Sequence, residues 1–267
     1  MTGSKKLSLI TACYNSELTI ADTLKSVNNQ TYQNIEHILV DGGSTDSTMD
    51  LVSVHGQRIN KSISEKDGGI YDAYNKGLNL AEGDIIGFIN SDDFYYTDDV
   101  IAQVMSVFED PLVDACHANL FYVDPLDTTK IERIWKSWNF KNIDFERGYL
   151  PGHPTIFLRK KIYEQYGNFS TQFNAVGDVD FVLRIFYGEK INSIHVDKIW
   201  VCMRSGGATG GDSLASIFRQ SLDIRSAQRQ NGIESSLLIY WWVKITSRSS
   251  QIVKARFSRL KDLLVRS

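Results

Sequence analysis

The chain has few cysteines, no excess of charge of one sign and no long apolar run. Its three cysteines, Cys13, Cys116 and Cys202, are far apart and odd in number, so no disulfide framework and no metal-type spacing is present. The net charge of −3 gives no reason to expect nucleic acid as a partner. No apolar stretch reaches the roughly 18 residues of a spanning helix, and the residues before Leu7 lack the features of a signal peptide. Together these absences predict a protein of a reducing, cytoplasmic compartment.

Strand-like and helix-like segments alternate over the first third of the chain. Four short apolar runs predict strands, and residues 69–81 have the apolar spacing of a helix. The predicted strands are 7–13, 35–40, 59–64 and 85–89. This alternation is typical of an α/β protein with a parallel sheet.

Polar residues lie at or just past the carboxyl ends of these predicted strands. They are Thr11, Asp41, Asp67 and the pair Asp92 and Asp93. Ligands of open α/β sheets bind at that edge, so the residues predict one shared site. A carboxylate at the end of a buried strand is costly unless a cation holds it, and Mg²⁺ and Mn²⁺ take such ligands together with substrate phosphates. The alternative is that these acids cap helices or form turns.

Beyond residue 95 the pattern is less regular, and no internal repeat or long linker is visible. Strand-like segments are predicted at 113–123, 131–138, 155–158 and 191–203, and helices at 161–166 and 178–186. Residues 235–267 carry seven Lys or Arg against one acid. Their apolar residues have helical spacing, which predicts a basic amphipathic helix on an anionic membrane surface. The alternative is a helix packed on the domain with a solvated charged face.

Three motifs together resemble family 2 glycosyltransferases, which are inverting enzymes of the GT-A fold. They span residues 41–46, 64–77 and 83–93, and the opening segment 9–15 also resembles the first strand and turn of that family. The chain departs from the family in carrying Ala12 where a proline is usual. The likeness is close over residues 7–95 and looser to about residue 210.

The resemblance implies an α/β GT-A fold, with a Rossmann-like, mostly parallel sheet flanked by helices. Residues 1–215 would form the catalytic domain, with a nucleotide-binding half at 1–95 and an acceptor-binding half at 96–215. Residues 216–267 would form a C-terminal, helical, basic region.

The resemblance also implies roles for residues of the nucleotide-binding half. Asp41 matches the acid that recognises the nucleotide base, and Asp67 matches a second nucleotide-contacting acid. Asp93 matches the ligand of a divalent cation, Mn²⁺ or Mg²⁺, while Asp92 contacts ribose or the water shell of the ion. Thr11 is expected to contact the nucleotide-sugar from the end of the first strand.

The catalytic base is expected in residues 177–184, which resemble the family segment with a Glu-Asp pair. Here Gly177 replaces the Glu, so Asp178 is the expected base and Asp180 the alternate. Residues two apart at a helix start do not share one face, so one of these acids should point to the acceptor and the other away. Either acid can instead cap the helix.

Four further assignments rest on position. His153, in a Pro-Gly-His-Pro loop, is expected at the acceptor, although a loop histidine also often holds backbone. Arg204, beside a glycine loop, suits a diphosphate. Asn75 resembles a helix residue near the nucleotide, with simple solvent exposure as the alternative. Tyr71 and Tyr74 are expected to pack against the sheet.

The resemblance implies transfer of one sugar from a nucleotide-diphosphate sugar, expected to be a UDP-sugar, to a lipid-linked saccharide. Enzymes of this kind build bacterial O-antigen, capsule or exopolysaccharide repeat units at the inner face of the cell membrane. The Gln-x-x-Arg-Trp signature of processive synthases is absent, which favours a single transfer. Two alternatives stay open: a sugar-1-phosphate nucleotidyltransferase, whose Gly-rich loop after the first strand is lacking here, and a non-catalytic nucleotide-sugar or glycan-binding domain.

Overall fold

The computed structural model describes residues 4–173, 175–206 and 214–234. Within these ranges the chain forms one nine-stranded sheet and eight α-helices. The strands are β1 Leu7–Cys13, β2 Ile35–Asp41, β3 Ile59–Ser64, β4 Ile85–Phe88, β5 Phe94–Tyr95, β6 Ala115–Val123, β7 Ile131–Trp135, β8 Phe157–Arg159 and β9 Ser193–Arg204. The helices are α1 Ile20–Asn28, α2 Thr48–His55, α3 Ile70–Leu80, α4 Val100–Val107, α5 Asn142–Glu146, α6 Lys160–Tyr166, α7 Gly177–Phe186 and α8 Leu214–Gln230.

The sheet is mixed but mostly parallel. Its strand order is β3-β2-β1-β4-β8-β6-β9-β5, and β7 pairs with β6 outside that path. The pairing directions give six strands one orientation (β1 to β4, β6 and β9) and the other three the opposite one. The fold class predicted from the sequence, a mostly parallel α/β sheet flanked by helices, is therefore confirmed.

Helices cover both faces of the sheet. Every residue of β1 and β2 is buried, as expected for parallel strands with helices on each side. Along β1, Ile10 joins the core cluster formed with α3, α6 and α7, whereas Leu7 and Leu9 join the cluster formed with α4. Helix α3 buries Tyr71, Tyr74 and Leu78, which recur at helical spacing on one face.

The second half differs most from the sequence prediction. Strand β7 ends at Trp135 rather than 138, and β5, α4 and α5 were not predicted. Strand β5 has two residues and exists through its antiparallel pairing with β9, a contact between distant parts of the chain that no local pattern indicates.

Helix α8 begins at Leu214, two residues before the predicted start of the C-terminal region. Ala227 and Ile233 are buried in the core with α7, and Asn231 donates to Asp180 at 2.9 Å. This stretch is thus packed on the rest of the chain. The predicted basic membrane helix lies in residues 235–267, outside the described residues. No helix within the described ranges is long and apolar enough to cross a bilayer.

Candidate active site

The carboxyl ends of β2, β1 and β4 lie side by side because β1 pairs with both of the others. Across the sheet, β2 and β4 are two strand spacings apart, which is about 10 Å. The loop after β1 joins the turn that follows β4 directly, since the hydroxyls of Ser16 and Ser91 are 2.7 Å apart. The predicted convergence of acids therefore occurs along one edge of the sheet.

The turn Asn90–Asp93 is held through its backbone. Thr23 of α1 donates to the Asp93 carbonyl at 2.6 Å, and Arg204 of β9 donates to the Asp92 carbonyl at 2.7 Å. The side chain of Asp93 has few hydrogen bonds. Its Oδ2 accepts from Asn90 at 3.2 Å, while its buried Oδ1 has no hydrogen-bond partner in the described part of the chain.

Burial raises the pKa of the Asp93 carboxyl well above its ordinary value, and the nearby charge of Asp92 adds to the shift. Burial also raises the pKa of Asp92, which Arg204 partly opposes. Arg204 opposes the shift of Asp93 only in part; a fully buried carboxylate with so little compensation is costly, and a bound cation would lower the cost. No group of three or more His, Cys, Asp or Glu that could hold a metal is present among the described residues. The site therefore fits an ion held by one or two carboxylates and by substrate phosphates, as is common for Mg²⁺.

Asp41 organises the turn after β2. It is fully buried, and its carboxylate accepts from the backbone and hydroxyl of Ser44 and, at 2.6 Å, from the hydroxyl of Ser64. Gly43 has φ +82°, a conformation that favours glycine. Asp67 lies against this turn, because a Cβ on Gly42 would be 2.9 Å from its Oδ2. The two acids are thus neighbours, and their contact with a nucleotide stays a prediction.

Two assignments from the sequence need correction. Thr11 is fully buried, and its hydroxyl is 3.0 Å from Nε2 of His37, so its side chain is turned into the sheet and does not reach the rim. Asn75 uses both ends of its amide on the backbone of Phe169, at 2.9 and 3.0 Å. It joins α3 to the loop before α7, which gives its amide a structural role.

The role expected of Arg204 also changes. The residue lies beside the acid turn as predicted, but its terminal nitrogens donate to the Asp92 carbonyl and to Asp22 of α1. Its guanidinium also lies over the ring of Phe94, 5.2 Å from the centroid. Because both ends of the fork are engaged, Arg204 supports the turn and does not offer a bidentate site to a diphosphate.

The two candidate bases have different surroundings. Asp180 is 5% exposed, and it is held by Arg184 at 2.6 Å and by Asn231 at 2.9 Å. Asp178 is partly exposed, and its Oδ1 accepts one hydrogen bond, from the Tyr71 hydroxyl at 2.8 Å. The two acids therefore have different partners, and Asp178 is the more exposed of the two. The assignment of the base to Asp178 stays a prediction.

Tyr74 lies between the acid turn and Asp178. Its hydroxyl donates to Oδ1 of Asn90. Burial raises the pKa of its phenol far above the ordinary value, and the charges of Asp178, Asp93 and Asp92 add to the shift. The metal candidate and the base candidate are therefore both close to this single phenol. Tyr74 and Tyr71 do pack against the sheet, but no sequence pattern indicated the bonds of their hydroxyls to Asn90 and Asp178.

His153 is enclosed by aromatic rings. Its ring centroid lies 5.6 Å from that of Tyr74 and 5.7 Å from those of Phe88 and Phe169. Burial lowers the pKa of the imidazole, an effect that the charge of Asp178 partly opposes. Its Nε2 is buried and has no hydrogen-bond partner among the residues described. The histidine is close to the candidate base, and its contact with an acceptor stays a prediction.

Tyr14 is a rim residue that sequence reasoning missed. It follows β1 directly and is 62% exposed, and the next residue, Asn15, has φ +47°. Asn15 bonds to Ser44 and Thr45 of the loop after β2, which fixes this strained turn and leaves the tyrosine ring projecting. An aromatic residue just past a strand end was the available signal.

Two cavities of about 170 and 290 Å³ lie near the start of β4 and share Lys160 and Glu164. Their lysines are engaged, since Lys160 donates to the Ala81 carbonyl and Lys161 pairs with Asp114. These cavities are therefore separate from the candidate site, which is identified by the arrangement of its side chains.

Comparison with known proteins agrees with this geometry. The sequence model of the family described as "Glycosyl transferase family 2" matches residues 8–167. A PGL/p-HBAD biosynthesis glycosyltransferase of Mycobacterium tuberculosis is 26% identical over 248 residues, which are 91% of this chain and 93% of that one. An uncharacterized glycosyltransferase of the same species is 31% identical over 188 residues, 69% of this chain and 70% of the other.

Solved structures share the fold. S. aureus TarS, residues 1–349 in complex with UDP-GlcNAc, superimposes with a TM-score of 0.63 at 19% identity, over 82% of this chain and 66% of that chain. The Pyrobaculum calidifontis mannosyltransferase PcManGT, in complex with GDP-Man and Mn²⁺, gives 0.64 at 18% identity, over 88% and 66%. This chain spans 39% of the longer TarS chain. The protein thus belongs to glycosyl transferase family 2 and is a glycosyltransferase of the GT-A fold.

Proposed function

We propose that this chain is an inverting, metal-dependent glycosyltransferase that moves one sugar from a UDP-sugar to a lipid-linked saccharide. The observation that carries the proposal is the grouping of an unpartnered buried carboxylate oxygen on Asp93 with a partly exposed carboxylate on Asp178. Asp93 is linked through Asn90 to Tyr74, and Asp178 accepts from Tyr71, whose ring centroid is 6.1 Å from that of Tyr74. Nucleotide-sugars bound to structural neighbours, and Mn²⁺ bound to one of them, support the choice of donor and ion.

Asp93 would hold the divalent cation, with Asp92 at its water shell or at the ribose. When bound, the ion stabilises the negative charge that builds on the leaving diphosphate. Tyr14, Asp41 and Asp67 line the end of β1 and β2, where the nucleotide base would lie. An exposed tyrosine ring there offers a stacking surface for the base.

Asp178 would act as the general base. As the acceptor hydroxyl attacks the anomeric carbon, its proton passes to Asp178, a new C–O bond forms, and the bond from that carbon to the diphosphate breaks. Attack from the opposite face inverts the configuration, so an α-linked donor yields a β-linked product. A base of this kind contributes about 10²- to 10⁴-fold in rate. The alternate Asp180 is disfavoured because Arg184 and Asn231 already use it.

The acceptor and the location are the remaining parts of the proposal. His153 lies beside Asp178 and would help to bind the acceptor saccharide. The basic residues of 235–267 would hold the enzyme to the anionic inner face of a bacterial membrane, where lipid-linked intermediates of surface polysaccharide are built. The mycobacterial relatives, named for PGL/p-HBAD biosynthesis, are consistent with a biosynthetic role.

The proposal is tested with a panel of nucleotide-sugars incubated with a synthetic diphospho-lipid saccharide, with and without Mn²⁺, and products read by mass spectrometry. We expect a single added sugar that requires the ion. Asp178→Asn should bind the donor normally and lower kcat by at least about 10²-fold. Near-normal turnover of Asp178→Asn would reject its role, and UDP binding without transfer or hydrolysis of any donor would favour a binding module.

The membrane part has its own test. A form without residues 236–267 should be released from vesicles that contain anionic lipid, while the full chain stays bound. Equal binding of the two forms would reject a membrane role for this segment.

A further inference from the structure

Helix α3 carries two tyrosines whose hydroxyls connect to the two proposed functional acids, one directly and one through Asn90. Tyr71 donates directly to Oδ1 of Asp178 at 2.8 Å. Tyr74 donates to Oδ1 of Asn90, and the amide of Asn90 donates to Oδ2 of Asp93 at 3.2 Å. Residues three apart share one face of a helix. One rigid element thus contacts both the base side and the metal side of the site.

The ring of Tyr71 is held firmly. It stacks on Phe169 with ring centroids 6.0 Å apart and an interplanar angle of 21°. On its other side is the first residue of α7: a Cβ on Gly177 would lie 2.8 Å from Cδ2 of Tyr71 and 2.9 Å from the carbonyl oxygen of Ser170. There is no room for a side chain at position 177. This explains why glycine stands where the family usually has glutamate: the tyrosine ring takes that space beside the base.

The ring of Tyr74 is fixed in the same way. Its centroid lies 4.5 Å from that of Phe88 and 5.3 Å from that of Phe169. Burial raises the pKa of both phenols far above the ordinary value, so each keeps its proton at neutral pH and can donate it to its acceptor oxygen. Tyr71 occupies Oδ1 of Asp178 and leaves the other oxygen of that carboxylate to receive a proton.

We propose that Tyr71 and Tyr74 are positioning residues: Tyr71 orients Asp178 toward the acceptor hydroxyl, and Tyr74, through Asn90, orients Asp93 toward the cation. The inference rests on the proposed function, which gives those two acids their roles. If the tyrosines served only to fill the core, phenylalanine would replace either of them without loss. A hydrogen-bonding role requires the hydroxyls themselves.

Four single substitutions test the proposal. Tyr71→Phe and Tyr74→Phe keep each ring and remove each hydroxyl. Tyr163→Phe is the matched control, because Tyr163 is buried in the same core and stacks on Phe181 at 5.0 Å, away from both acids. Thermal unfolding of each variant establishes that it is folded, and Asn90→Ser breaks the second link without touching α3.

The two tyrosine substitutions should affect different measured quantities. Tyr71→Phe should lower kcat by about tenfold or more, as expected for a misplaced reacting group, with the KM for donor and the Mn²⁺-dependent affinity for UDP within twofold of wild type. Tyr74→Phe and Asn90→Ser should instead weaken Mn²⁺-dependent UDP binding, measured by calorimetry, by about tenfold, as for other residues that orient metal ligands. Excess Mn²⁺ should restore most of the turnover of Tyr74→Phe. Tyr163→Phe should match wild type in both measurements.

Asp178→Asn and Asp93→Asn are measured in the same assays. They distinguish a failure of the positioning role from a failure of the proposed function. If they lose turnover and metal-dependent binding while the tyrosine variants behave as wild type, the positioning role is rejected and the proposed function stands. If Asp178→Asn keeps its turnover, or Asp93→Asn its Mn²⁺-dependent binding, the proposed function itself fails. Equal losses of kcat and of UDP affinity in both tyrosine variants would also overturn the proposal, since general disruption of the core produces that pattern.

Discussion

Two buried acids, one near the start of a strand and one just past the end of another, differ sharply in their hydrogen bonds and ion pairs. Glu36 lies near the start of β2 and its side chain is 2% exposed. Lys6 and Lys61 pair with its Oε1 at 3.1 and 2.9 Å, and Ser8 donates to its Oε2 at 2.5 Å. Asp93, after β4, is fully buried and has one amide donor on Oδ2 and no partner for Oδ1 within the described ranges.

The pKa shifts of these acids follow from their partners. Burial opposes ionisation of Glu36, but the hydrogen bonds from Ser8, the Glu82 backbone and the two lysines outweigh it and hold the pKa at about 2. Burial of Asp93 outweighs the opposing effects of Asn90 and Arg204, so its pKa rises. Buried polar atoms in proteins are nearly always paired. An acid that is paired completely indicates a structural role, and one left unpaired at a ligand-binding edge indicates a missing partner.

The largest effect is expected from Asp93→Asn on catalysis. Loss of the carboxylate that would hold the ion should lower kcat/KM by about a hundredfold or more, measured with the preferred donor at saturating Mn²⁺. Because the substitution also removes an unpaired buried charge, the ion-free variant should melt at or above the temperature of wild type. A variant with normal kinetics and a lower melting temperature would make Asp93 a structural acid like Glu36.

Glu36→Gln should show the reverse behaviour. Breaking a buried ion-pair network leaves two lysines without their shared acid, and the free energy of unfolding should fall by about 2 kcal/mol. Urea denaturation measures this loss. The KM for donor and kcat should stay within twofold of wild type, since Glu36 lies at the opposite end of the strands from the candidate site. A lower kcat or a higher KM in a folded variant would show that Glu36 is not a purely structural acid.

The pH dependence of the unfolding free energy tests how much the charge of Glu36 contributes to stability. The folded pKa of Glu36, about 2, lies below its ordinary value of 4.5, so its stabilisation is complete above about pH 4.5 and is lost as the pH falls toward 2. The difference in unfolding free energy between wild type and Glu36→Gln should therefore shrink over that window. A difference that stays constant from pH 6 to 2.5 would show that the charge of Glu36 contributes little.

The smallest effect is expected from Asp180→Asn. Asp180 resembles Glu36 in being fully paired, with Arg184 and Asn231, although it lies two residues from the proposed base. Its replacement should cost about 1 kcal/mol of stability and leave turnover within about twofold. If a folded Asp180→Asn variant lost its turnover while Asp178→Asn stayed active, Asp180 would be the base and Asp178 would not.

The first half of the fold was predictable because its pattern is local. Strands β1 to β4 are short apolar runs joined by helices, and parallel neighbours of this kind place their carboxyl ends at one edge. The pairings of β9 with β5 and with β6 join residues 78 to 108 positions apart in the chain, and nothing in the composition of these strands indicates the partner.

The position of the site was predictable, but the direction of several side chains was not. Thr11 faces His37 inside the sheet, and Asn75 and Arg204 bond to groups 94 and 182 residues away. Such directions depend on strand pairing and packing, which a motif does not contain. The hydroxyl contacts of Tyr71 and Tyr74 were not predicted for the same reason, since the spacing of the two residues along the helix indicates only that they are buried.

The most direct test of the central claim is calorimetric titration of UDP into wild type and into Asp93→Asn, each with and without Mn²⁺. If the unpaired carboxylate at the end of β4 holds a diphosphate-bound cation, Mn²⁺ should tighten UDP binding to wild type by at least about tenfold and have no effect on the variant. An equal effect of Mn²⁺ on both proteins would contradict the account.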